Sequence, residues 1–427
     1  MAETLGSTQI WLGPQGAANA EVTWAAGRIT RGDAAVHRDL GEVPSGAPYV
    51  VPALPVEVHC HGLGPIDFSN FAEIDLHELD KVASDEGLLC IPTLYLRRER
   101  LDAFVEFMRG YAALRADGQL PFVPAVALEG PLVASFGGTP ANAVWAPSKE
   151  EWEKLASCGE LGLVYIMLSP DALQSSSYLA EQFTPDHPSL EWIVTRLVES
   201  GVRPALGHFA KEDPQLGADC VEVVLGAAEA ADCPHNGVRV VTDHLFNEMP
   251  LLIKHAFRTR KAQAEREALL ASYDLPSWNL ADLHEQVGPV PAAIMRGAHA
   301  GRIAACLNFD GEHVDYAIAK RAIEIVGPQN MMLMTDRSDT ARLAGQDLHL
   351  EPGSQLWYQE KGVVAAGTMP IDKQIANVRE LGVGEHDIWR LVAFTAYRTF
   401  FPEIDLGAAT VGLGSLVTAD RRRIALM

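Results

Sequence analysis

Eight apolar runs, most of them followed by a helical pattern, limit most strongly how this chain can fold. The runs fall at 49–58, 88–96, 122–128, 161–168, 202–206, 238–242, 302–308 and 330–335. They are short and lack a polar alternation, as strands covered on both faces do. Helical periodicity follows at 75–86, 100–115, 149–156, 190–199, 220–231 and 315–325, and helices at 371–381 and 386–400 close the series. Eight such units predict a (β/α)8 TIM-type barrel over residues 51–400. Residues 1–50 carry short alternating segments broken by Gly and Pro, which read as part of a small β domain. The tail, 401–427, is expected to return to it and complete a small β-sandwich. Residues 255–298 interrupt the rhythm with a charged helix-like run at 258–271 and a proline-bearing loop. They read as an insertion between the sixth and seventh strands.

Composition narrows the setting. The 427 residues are 48% hydrophobic, ample for one large core and an accessory unit. A formal charge of −22 argues against nucleic acid and anionic membrane as partners. Six cysteines without a CxxC pair point to free thiols in a reducing compartment. No leader pattern and no run of about 18 apolar residues occurs, so the expectation is a cytoplasmic protein acting on a small molecule.

In a barrel of this kind, the residues just past the C-terminal strand ends share one mouth. His59 and His61 end the first strand, one residue apart and so on one face of an extended chain. Glu129 ends the third strand, His208 the fifth, and Asp243-His244 the sixth. Asp310-Gly-Glu-His313 follows the seventh and Asp336 the eighth. Each alone has an ordinary structural explanation, as a turn cap or a satisfied polar residue. Together at one end of the strands they do not. Histidine mixed with carboxylate suits Zn²⁺ first and Fe²⁺ second, rather than Mg²⁺ or Ca²⁺. Glu129, His208 and His244 give a divalent metal three ligands and an open position. A water there becomes far more acidic, and the metal can polarise a carbonyl. Asp336 can take that water's proton and pass it to a leaving amine. His59 and His61 would hold a second metal or support the first. The set predicts hydrolysis of an amide or related C–N bond.

These residues resemble the amidohydrolase superfamily, and more closely the N-acetylglucosamine-6-phosphate deacetylases. The resemblance rests on His59-Cys-His-Gly-Leu-Gly with Asp67-Phe68, Leu128-Glu-Gly-Pro131, Gly207-His208, His244-Leu-Phe-Asn-Glu-Met-Pro250, Asp310-Gly-Glu-His-Val-Asp315 and Thr335-Asp336. It runs from about residue 50 to 400. It implies a metal on Glu129, His208 and His244, a second at His59 and His61, and Asp336 as general acid and base. It further implies that His313 meets the sugar and the scissile carbonyl, that Asn247 lies on a substrate loop, and that the protein is a homodimer in carbohydrate metabolism.

Three departures from the family's pattern bear on the substrate. Glu248 stands where the family has Ala, and an anion there would repel a phosphate while favouring a hydroxyl or an amine. His255 aligns with the family's phosphate-gripping arginine. Arg337 follows Asp336 in place of Ala and is expected to offer an anion contact of its own. The expectation is a metal-dependent deacylase, most simply a deacetylase, of an N-acyl amino sugar or related polar amine. The alternatives are opening of a cyclic amide or deamination at the same site, and an inactive ligand-binding barrel.

Overall fold

The structure is a computed structural model. It describes residues 54–253 and 260–401, the side chains of 260–263, 385 and 386 excepted, together with short backbone strands in both terminal segments. The eight expected parallel strands are present: β1 (Val56–Cys60), β2 (Leu89–Tyr95), β3 (Val126–Glu129), β4 (Leu163–Leu168), β5 (Arg203–Leu206), β6 (Val240–His244), β7 (Ile303–Leu307) and β8 (Met331–Leu333). They pair in sequence order from β1 to β8. The barrel closes just beyond β8. Asp336 N donates to His59 O at 3.0 Å, and His61 N donates to Arg337 O at 2.7 Å. The closing seam therefore runs through the residues that the sequence singled out. Every residue of these strands is buried, which is why the runs are mostly apolar and show no regular alternation.

Helices α1 (Leu76–Glu86), α2 (Leu101–Ala116), α3 (Lys149–Ser157), α4 (Leu190–Glu199) and α5 (Pro214–Ala230) sheathe the first half. Their starts follow capping chemistry. Ser148 and Glu151 form a reciprocal capping box on α3, and Asp75, Ser189 and Asp213 cap α1, α4 and α5. The insertion begins with α6 (Arg260–Leu270) but is shorter than expected. Within 255–298 lies α7 (Pro289–His299), whose Val290, Ala292, Ile294, Met295 and Ala298 are buried in the main core. That helix belongs to the barrel's outer layer, not to a loop. Its prolines sit in the first turn, where no backbone N–H is needed. Helices α8 (Tyr316–Val326) and α9 (Ile371–Glu380) follow.

Two features lay outside the sequence expectation. A three-stranded antiparallel sheet, β9 (His349–Leu350), β10 (Leu356–Tyr358) and β11 (Val364–Gly367), stands over the mouth. The last helical stretch holds one π-helical segment, Arg390–Phe394. The terminal segments pair as anticipated. Ser415–Thr418 runs antiparallel to Tyr49–Val51 in a five-stranded sheet, and a four-stranded sheet forms from Glu3–Thr4, Val22–Ala25, Arg28–Arg31 and Ala34–Asp39. The first apolar run, 49–58, thus divides at its prolines between the small sheet and β1. Among the described residues no helix is long and apolar enough to cross a membrane.

Candidate metal centre

The strand ends bring the expected ligands to one point. Glu129 Oε2 lies 3.2 Å from His59 Nε2 and 3.1 Å from His61 Nε2, and its Oε1 lies 3.6 Å from His208 Nε2. Asp336 Oδ1 is 3.4 Å from His61 Nε2 and 3.7 Å from His59 Nε2. The rings of His208 and His244 are 5.0 Å apart, and those of His59 and His244 are 5.8 Å apart. All six side chains are buried. Cys60 points away, as strand alternation requires, and packs its sulfur 3.9 Å from that of Cys90.

The outer partners decide which nitrogen of each histidine faces inward. Tyr165 OH donates to Val58 O, so toward His59 Nδ1, 3.0 Å away, it can only accept. His61 Nδ1 donates to Thr93 O at 3.3 Å, and His208 Nδ1 donates to Ser135 O at 2.7 Å. The Nδ1 proton is fixed on each ring, and each Nε2 presents a lone pair to the centre. Metal-binding histidines are held in this manner. Tyr95 stacks on His61 with ring centres 4.7 Å apart and brings its hydroxyl 3.2 Å from Nε2. Thr139 Oγ1 donates to Glu129 Oε1 at 2.5 Å.

These residues fit a divalent cation. His59 Nε2, His208 Nε2, Glu129 Oε2 and His244 Nδ1 are buried without a hydrogen-bond partner. Two donors each about 2.0–2.2 Å from a tetrahedral zinc lie about 3.3–3.6 Å apart, and the separations above, 3.1 to 3.7 Å, bracket that range. Without a cation, burial lowers the His61 pKa, yet Glu129 and Asp336 hold it up at about 10. Burial likewise works against the Asp336 charge, but His61, His244 and His313 keep its pKa at about 2. The carboxylates demand positive charge where the imidazoles converge.

Four residues of the site, His208, Phe246, Glu248 and Asp336, have φ between 41° and 74°. A non-glycine residue in this region costs on the order of 1–3 kcal/mol, and such strain gathers at functional sites.

Above the cluster lies a cavity of about 230 Å³, lined in part by Asn247, Glu248, His313 and Asp336. His313 Nδ1 donates to Asp310 Oδ2 at 2.5 Å, and His313 Nε2 faces Asp336 Oδ2 at 3.4 Å. Glu248 accepts from Ser135 Oγ at 2.7 Å and from Lys211 Nζ at 2.8 Å. Burial opposes its ionisation, but His208 and Lys211 hold its pKa at about 2. Asn247 and Glu248 are thus at the mouth, as the sequence suggested.

Arg337 is not. Its side chain is 1% exposed and binds both oxygens of Glu86, with Asp339 at 3.2 Å, on the far side of the seam. It is a structural arginine and offers no anion contact to a substrate. His255 lies outside the described residues.

Sequence reasoning passed over several members. Tyr95 and Tyr165 end or line strands that seemed to lack a site residue. Thr139, in the loop after β3, touches Glu129. Asp243 was noted only as the neighbour of His244. It is fully buried, 3.6 Å from both His208 Nε2 and His244 Nδ1. Burial, then Glu129 and Asp336, push its carboxyl well above the usual range.

Protein-family models and curated protein sequences give no match to the chain. Solved structures do. N-acetylglucosamine-6-phosphate deacetylase from Pasteurella multocida superposes with a TM-score of 0.63 at 14% identity, over 100% of this chain and 98% of that one. The Thermotoga maritima enzyme of the same name gives 0.61 at 15% identity, over 98% and 94%. The Mycobacterium smegmatis enzyme gives 0.58 at 18%, over 100% and 98%. At these identities the likeness is one of fold.

Proposed function

We propose that this protein is a metal-dependent hydrolase that removes an acyl group, most simply acetyl, from the nitrogen of an amino sugar or related polar amine. One observation carries the reading. Asp336 sits at the barrel mouth between the inward-facing histidines and His313, in a cavity open to a substrate. Zn²⁺, or Fe²⁺ in its place, held by Glu129, His208 and His244 with His59 and His61 alongside, would supply Lewis acidity and an acidified water.

The chain's own groups do the rest. Asp336, held ionised, takes the proton of the attacking water on the carboxylate that faces the imidazoles. It then delivers that proton to the departing nitrogen. His313, fixed by Asp310, points Nε2 at the same carboxylate and orients the substrate carbonyl beside it. Asn247 and the ionised Glu248 meet polar groups of the amine-bearing part. Glu248 favours hydroxyl or ammonium over phosphate, which separates this substrate from the one named for the structural neighbours.

The test is a panel of N-acyl amino sugars, with and without 6-phosphate, set beside cyclic amides and amino-heterocycles, with release of free amine and acid measured. We expect turnover of the unphosphorylated N-acyl sugars. Asp336→Asn should lower kcat by about 10²- to 10⁴-fold at unchanged metal content. Turnover of cyclic amides or amino-heterocycles alone, or full activity in Asp336→Asn, would overturn the proposal.

A further inference from the structure

The buried carboxylate of Asp243 is not explained by packing or by proton transfer at the mouth. It is fully buried beneath the cluster, and neither oxygen has a hydrogen-bond partner. The backbone amides of Asp243 and His244 lean on the carboxyl and favour its charge, short of full hydrogen-bond geometry. Space has been kept for it: a Cβ on Gly207 would lie 1.9 Å from Asp243 Oδ2. The carboxylate faces His208 Nε2 and His244 Nδ1, each at 3.6 Å.

The tautomer of His208 settles what that approach means. Its Nδ1 proton is given to Ser135 O, which leaves Nε2 as the atom turned toward Asp243. The His208 Nε2 lone pair and an Asp243 oxygen then face each other at 3.6 Å, outside hydrogen-bond distance, as two donors about one shared cation do. The separations suit such a cation, since donors on one zinc lie about 3.3–3.6 Å apart.

We infer that Asp243 is a direct ligand of the cation held by His208 and His244, a third donor from strands β5 and β6. The inference rests on the metal-dependent reading above and adds a ligand to it. It accounts for Gly207 and for the burial of the carboxylate together. It also sets this centre apart from one in which β6 contributes a single histidine.

The direct test is a crystal structure of the Zn²⁺-loaded protein with anomalous data at the zinc edge. We expect a peak about 2.0–2.2 Å from an Asp243 oxygen and from nitrogens of His208 and His244. A zinc bound in the cluster with Asp243 beyond 3 Å would overturn the inference and leave the hydrolase reading standing. No zinc in the cluster would overturn both. In solution, Asp243→Asn keeps size and shape but loses the charge. Its Zn²⁺ affinity, measured by competition with a chelating dye on protein of native circular dichroism, should fall by more than the roughly 10- to 100-fold that loss of an outer hydrogen-bond partner brings. A smaller drop would overturn the inference.

Discussion

Arg337 and Asp243 show what spacing along a chain does and does not tell. His59, Glu129, His208, His244 and Asp336 were legible because a strand end fixes where a side chain stands, and their donor types agree. Arg337, one residue after Asp336, was read as facing the same mouth. Asp336 has left the extended conformation, with φ 52°, and the arginine after it turns outward to Glu86 and Asp339. Asp243 was seen only as the neighbour of His244, from which an extended strand would turn it away. The β6–β7 register shifts between Val241 and His244, and this irregularity turns both toward the centre. The structural role of Arg337 predicts the outcome of Arg337→Ala. The change empties a buried site and leaves Glu86 and Asp339, 33% and 27% exposed, without their partner, so the melting temperature should drop. A substrate-binding arginine would instead raise KM and leave stability alone, and thermal unfolding with steady-state kinetics distinguishes the two.

At the scale of elements, continuous apolar runs and capping residues made the strands and most helices readable. The failures have physical causes. Helix α5 begins at Pro214, several residues before its periodic pattern. The glycine in its first turns, Gly217, is there because a side chain would press on Val290 at 2.8 Å. Helix α7 was hidden by its prolines. The sheet β9–β11 has strands of only two to four residues, too short for periodicity to register. That sheet meets the loop after β3 closely: a Cβ on Gly138 would lie 2.7 Å from the backbone Cα of Ala365. Gly138→Ala must therefore move the wall of the cavity. We expect kcat/KM to fall on the order of 10- to 100-fold, since small misplacements near reacting groups carry such penalties. An unchanged kcat/KM would mean the wall takes no part in binding.

Asp171 gives a second prediction at this scale. It is buried under α5, accepts from Ala210 N at 3.0 Å, and burial pushes its pKa up to about 7. The folded protein then binds a proton that the unfolded chain has released between about pH 4 and pH 7. Stability is full below that window and is lost as pH rises through it, by as much as a few kcal/mol. Asp171→Asn removes this slope, so its melting temperature should gain on the parent's from pH 4 to 7 and stay ahead above. A difference that does not vary with pH would contradict the assignment.

For the whole molecule, the barrel and its terminal β unit followed from counting runs and from the texture of the two ends. The seam did not. Only the structure shows that β8 meets β1 through the backbones of His59, His61, Asp336 and Arg337, so the ligands and the closure of the barrel are one feature. Cation binding should therefore stabilise the fold as a unit. At free metal 100 times its dissociation constant the gain is about 2.7 kcal/mol. Chelation should lower the melting temperature and metal should restore it, whereas an indifferent melting curve would separate the metal from the fold.

The central claim, hydrolysis of an acyl C–N bond that depends on a cation at this cluster, has one direct measurement. Metal-free protein is titrated with Zn²⁺, and bound metal and release of free amine from an N-acetyl amino sugar are followed on the same samples. The account predicts no turnover at zero metal and a rate that rises in proportion to the ions bound. Turnover by the metal-free protein at the rate of the loaded one would contradict it.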